Sequence, residues 1–282
     1  MTRAAGVRPR SERVLTIGPL VALAVLCWAV VWRWMGGMSA VPGADPGPLG
    51  FFIGAWVVMM AAMMLPSAWP TVLVFRRLQA ARRERGHEPV RLGPALFLLG
   101  YLSAWSAAGL VGFVVVRTGR ALDIEALSWE RAGRLLAGGV VVAAAAYQLT
   151  PLKDRCLRHC RGPFGFLLEH WRPGEVGAVR MGVRHGLWCI GCCWGLMAAL
   201  FALGLMSIPW MALITLFIAA EKLLPWRRFA MTVVTVSLLA LGVAVAVLPD
   251  RVPWLMAPGP AMHEMNMSIS WSPGQPPPGG WS

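Results

Sequence analysis

The sequence predicts an all-α, polytopic integral membrane helix bundle of about seven transmembrane helices, N-terminus cytosolic and C-terminus outside. Three observations lead there. The chain is 57% hydrophobic and only 14% charged, whereas soluble domains carry about 25% charged residues. Its apolar residues are gathered into blocks near the ~20 residues that cross a bilayer as a helix. Its basic residues crowd into alternate connections, as the positive-inside rule requires.

The spans are predicted near 14–34, 51–75, 93–116, 132–150, 183–205, 207–224 and 229–248. The first follows a basic cytosolic N-terminus, 1–13, holding Arg3, Arg8, Arg10 and Arg13. No small-residue cleavage site follows it, so it reads as a retained helix and not a removed signal peptide. The second carries Pro66, which is expected to kink it and free backbone carbonyls. The fourth is rich in Gly and Ala, and the fifth and sixth are separated by the shortest connection. The membrane domain, 14–248, is thus one unit with a long cytosolic loop, 151–182. Within that loop Phe164-Gly-Phe-Leu-Leu-Glu-His170-Trp171 mixes apolar and polar faces, as a short interfacial helix does. Residues 249–282 form an outer tail, Met/His-rich and then Pro/Gly-rich, largely disordered by composition.

Charge fixes the expected orientation. Arg76, Arg77, Arg82, Arg83, Arg85 and Arg91 separate the second and third spans. Lys153, Arg155, Arg158, Arg161, Arg172 and Arg180 precede the fifth, and Lys222, Arg227 and Arg228 follow the sixth. The alternate connections are poorer in base: 35–50 holds Asp45, and 117–131 mixes arginines with Asp123, Glu125 and Glu130. The net charge of +13 is therefore expected beside anionic lipid. No aromatic-interleaved recognition module suggests a nucleic-acid partner.

The chemistry concentrates in His185-Gly-Leu-Trp-Cys189-Ile-Gly-Cys192-Cys193. At 100° per residue these four side chains share one helical face. Thiolate and imidazole are ligands for Cu(I), zinc or iron–sulfur centres, and polar groups inside a membrane face the bundle interior. The plainer reading is that each cysteine is a small buried residue, which suffices for Cys27 in the first span.

Other candidates surround this cluster. Met59 and Met63, like Met60 and Met64, are i,i+4 neighbours that stripe the second span. Alone, that stripe reads as core packing; beside cysteines, thioethers are Cu(I) donors. Cys156 and Cys160, one turn apart in a basic loop, form a candidate intake or exit pair on the cytosolic side. Glu221, followed by Lys222, closes the sixth span at the depth of His185. There it could orient the imidazole, ligate directly, or only snorkel with its neighbour. In the tail, Met262, His263, Met265 and Met267 could wrap Cu(I) on a flexible chain before the membrane site receives it.

Together these residues resemble a bacterial family of integral membrane proteins predicted to bind metal. The matching text is Trp56-x-x-Met59-x-x-Ala62-Met63-Met64-x-Pro66, Tyr101-Leu-x-x-Trp105, and Tyr147-Gln-Leu-Thr-Pro-Leu-Lys153-x-x-Cys156-Leu-x-x-Cys160-Arg161. His185-Gly-x-x-Cys189-x-Gly-Cys192-Cys193-Trp194, Met197, Met206, Trp210-Met211 and Glu221-Lys222 complete it. The likeness covers roughly 56–222 and implies a multi-pass protein of the bacterial inner membrane.

Three function classes follow. A metal-handling protein is the leading one, with copper(I) ahead of zinc because a zinc site has no use for thioethers. Its partners would be the lipid bilayer and a metallochaperone or client metalloprotein. A membrane thiol–disulfide or redox-cofactor oxidoreductase is the second; one acting on exported proteins would need its cysteines outside, against the expected topology. A structural or assembly subunit whose cysteines only pack is the third. Nothing resembles a Walker motif, a Ser-His-Asp set or a dinucleotide turn, so ATP-driven pumping by this chain alone is not expected.

Overall fold

A computed structural model describes residues 9–35, 47–88, 90–121, 133–204 and 207–248. Among these, every regular element is a helix: α1 (Pro9–Met35), α2 (Leu49–Glu84), α3 (Gly93–Ala121), α4 (Arg134–Gln148), α5 (Pro151–Arg161), α6 (Pro163–His170), α7 (Gly174–Leu203), α8 (Ile208–Leu223) and α9 (Arg227–Val247). Five of them, α1, α2, α3, α7 and α9, are long and apolar enough to cross a membrane. The predicted fourth span is shorter than expected: α4 ends at Gln148, and α5 leaves it at 67°. Counting that bent pair as one span gives six. The predicted sixth span forms α8, whose 16 residues reach about 24 Å at 1.5 Å per residue. The Met/His tail and its candidates lie outside the described residues.

One difference from the sequence expectation matters for function. Residues 151–182 are not a loop but two packed helices and the start of a third. Thr150 caps α5, its hydroxyl accepting from the Lys153 amide at 3.3 Å, with Pro151 at the first helical position. The amphipathic segment forms α6, burying Phe166 and Leu167 and exposing Phe164 and Leu168. Helix α2 continues as one helix through Pro66 and Pro70, and the Ala62 carbonyl that Pro66 cannot serve accepts from Trp28 Nε1 of α1, as expected of a freed carbonyl.

Small residues set the closest helix approaches. A Cβ on Gly182 would collide with the Phe97 carbonyl, and one on Gly100 with the Val179 carbonyl. So α3 and α7 run together backbone against backbone, the device membrane helices use when apolar burial cannot drive association. Gly138 and Gly242 do the same for α4 and α9. Indole donors tie further pairs: Trp56 Nε1 to the Trp105 carbonyl at 2.8 Å, and Trp28 Nε1 to the Ala62 carbonyl at 3.2 Å.

The interior divides into two clusters. One gathers the α2 methionines, Tyr101, Trp105 and the α7 cysteines. The other gathers Val72, Phe75, Phe97, Phe166, Leu167 and Met181. The outward faces are apolar as well, with Val25, Val111, Val115, Leu216, Val236 and Val243 exposed. Lipid covers such a surface more readily than water does.

Candidate metal centre

On α7, residues 189, 192 and 193 fall within little more than one turn, and helical spacing turns their thiols to one side. The Sγ atoms of Cys189, Cys192 and Cys193 all lie within 4.8 Å of one another, and all three residues are buried. Metal–sulfur bonds of about 2.3 Å place the sulfurs of a trigonal set about 4 Å apart. The three thiols are therefore within a small side-chain adjustment of closing on one ion. Cys192 and Cys193 each donate to the Cys189 carbonyl, at 3.1 and 2.8 Å.

Cys189 Sγ is the most heavily partnered sulfur. The Tyr101 hydroxyl lies 3.0 Å from it, and the Lys222 ammonium donates to it at 3.0 Å. The same ammonium reaches Ser67 Oγ at 3.3 Å and Met64 Sδ at 4.0 Å. A cation at this point supplies the positive charge that buried thiolates need in a medium of low dielectric. Lys222 does not snorkel; it turns inward.

Cys160 also belongs here. Its Sγ lies 3.7 Å from that of Cys192, so α5 adds a fourth sulfur beside the α7 triad. Cys156, one turn earlier, is buried against Gly191, where an added Cβ would stand 2.7 Å from its sulfur. The expected intake or exit pair is thus divided: Cys160 joins the cluster, and Cys156 packs at the α5–α7 contact. Gly191→Ala is expected to force α5 outward at a cost of about 1–3 kcal/mol. A lower thermal midpoint and faster alkylation of Cys160 would show it. An unchanged alkylation rate would mean α5 is not seated through Gly191.

Glu221 does not serve His185. Its Oε2 receives the Lys153 ammonium at 2.6 Å, with both side chains almost wholly buried. Adjacent residues on α8 point about 100° apart, which sends Glu221 toward α5 and Lys222 toward the thiols. His185 lies outside the thiol group as well. Its Nε2 is 3.4 Å from Thr71 Oγ1, its Nδ1 has no hydrogen-bond partner, and its ring stands among Phe97, Tyr101 and Phe166. Met59, Met60, Met63 and Met64 are all buried in the core that holds the cysteines. Of these, Met64 contacts the Lys222 ammonium.

Sequence reasoning missed Tyr101, Ser67 and Lys222 as neighbours of the cluster. Helical period relates residues on one helix, and these three come from others.

A family model described as copper chaperone, PpoB2, matches residues 53–245. The chain belongs to this copper chaperone family. The matched stretch contains every cysteine of the cluster, the α2 methionines and Lys222. No curated protein and no solved structure matches the chain. Family and donor set both point to a metal ion, and clustered thiols with thioethers nearby are donors of the soft kind.

Proposed function

We propose that this protein is a membrane-embedded copper chaperone that holds Cu(I) on Cys189, Cys192 and Cys193 and passes it to a client metalloprotein. The observation that carries the reading is the buried triad of thiols, within 4.8 Å of one another, in a chain of a copper chaperone family. Cu(I) on two thiolates bears one net negative charge, which the Lys222 ammonium balances; the third thiol completes the set. Cys160, carried by a separate helix, supplies the sulfur through which the ion is exchanged. Ligand exchange between sulfurs moves a metal ion without leaving it bare at any step.

The five or six apolar helices seat this site in the bilayer of a bacterial inner membrane, and the arginine-rich connections face the cytosol. The tail donors Met262, His263, Met265 and Met267 gather copper on the outer side at low concentration.

Purified protein offered Cu(I) together with excess Zn(II) is expected to retain about one Cu(I) per chain. X-ray absorption should then show a shell of sulfur alone at the metal. Retention of zinc in preference, or a shell dominated by nitrogen and oxygen, would refute the assignment.

A further inference from the structure

The three α7 thiols are buried and Cys160 beside them is half-buried; with Cys160 as the exit sulfur, copper needs a separate way in. At the arginine-rich end of α7 lies a cavity of about 520 Å³, lined among others by Phe75, Arg82, His87, Trp171, Arg172 and Met181. Its rim residues His87 and Glu88 are exposed, so the cavity opens to the surroundings. Met181 forms part of its wall and is itself only 2% exposed. One turn further along α7 is His185, and one turn beyond that is Cys189. Residues four apart on a helix have Cβ atoms about 5–6 Å apart, so the three side chains are consecutive neighbours from the cavity wall to the cluster.

His185 is the decisive member. It is 4% exposed, yet Nδ1 has no partner and Nε2 has only the long Thr71 contact. A buried imidazole left that poorly satisfied costs free energy with no return to the fold. It stands where the two interior clusters meet, touching Phe97 and Phe166 on the Met181 side and Tyr101 on the cysteine side. Aromatic faces also favour a monovalent cation stripped of water.

We infer that Cu(I) enters through this cavity and is handed from Met181 to His185 to Cys189, a relay that rests on the copper reading above. Each transfer makes one coordinate bond as it breaks another, and the metal stays Cu(I) throughout. Thioether and neutral imidazole are uncharged donors, so no proton moves until the ion meets the thiols. The basic mouth, with Arg82, Arg91 and Arg172 outnumbering Glu88 and Glu175, suits an anionic Cu(I) complex as donor more than the bare ion.

The test loads purified full-length protein from the anionic Cu(I)–bicinchoninate complex and follows the loss of chelate colour by stopped flow. Met181→Leu and His185→Phe, both close in volume to the native residues, are expected to slow loading about tenfold. The final copper content should match that of the unsubstituted protein. His185→Met, which restores a soft donor at the same place, should load at close to the native rate. Native rates in both Met181→Leu and His185→Phe would overturn the relay. So would His185→Met proving as slow as His185→Phe, since the position would then matter for packing alone. If the unsubstituted protein takes no copper from the chelate at equilibrium, the copper assignment itself fails, an outcome separate from any change in rate.

Discussion

Replacing Cys189 and Cys192 together by serine is expected to reduce bound copper from about one ion per chain to near zero. Serine is nearly isosteric with cysteine, but its hydroxyl is a hard donor that does not hold Cu(I). Cys189 stands at the centre of the contacts, its sulfur accepting from Lys222 and paired with the Tyr101 hydroxyl, its carbonyl accepting from two thiols. Cys192 links the α7 triad to Cys160. Losing both leaves Cys193 and Cys160 without the sulfur between them. Cys27→Ser, at a half-buried position on α1, should keep the full copper content and serves as the control. Metal analysis of the three purified proteins decides the matter. Equal copper in the double variant and the control would remove the thiols from the site. A circular dichroism spectrum unchanged between them would show that the loss is one of ligands and not of fold.

Much of this architecture was readable from the chain. The long helices α2, α3, α7 and α9 follow from apolar runs long enough to cross a membrane. The three thiols of α7 were readable because one helix imposes its own period on residues 189, 192 and 193. Relations between helices were not. Cys160 sits in a segment so rich in arginine that composition suggested a loop. Its capping signal, Thr150 followed by Pro151, was nonetheless in the sequence and marks the start of α5. His185 shares a face with Cys189, but one turn of rise carries its ring to a different level. There it meets Thr71 and Phe97 in place of sulfur. The roles of Glu221 and Lys222 depended on which helix lay to either side of α8, and no periodicity encodes that.

The pair Lys153–Glu221 offers the second large effect. Both side chains are about 1–2% exposed and meet at 2.6 Å, so each charge is tolerated only because the other is present. The pair joins α5 to α8. The Arg161 guanidinium reinforces that joint by donating to the Glu221 and Leu224 carbonyls, and Arg227 fastens α5 to α9 through Asp154. Lys153→Met removes the ammonium and leaves a buried carboxylate whose Oε1 already lacks a partner. The expected cost is about 3–5 kcal/mol, read as a fall of about 10 °C or more in the thermal midpoint of the solubilised protein. Glu221→Gln should cost a comparable amount by stranding the ammonium. The double variant Lys153→Met/Glu221→Met buries no charge at all and should recover most of the loss, because apolar residues of similar volume replace such a pair at little cost. If the double variant is as unstable as either single one, the pair contributes through its shape and not its charge. If neither single variant lowers the midpoint, the two groups are not a buried ion pair. Recovery in the double variant carries one more consequence. With α5 still held by Arg161, Arg227 and its packing against Gly191, Cys160 should remain beside Cys192, and copper content should be retained.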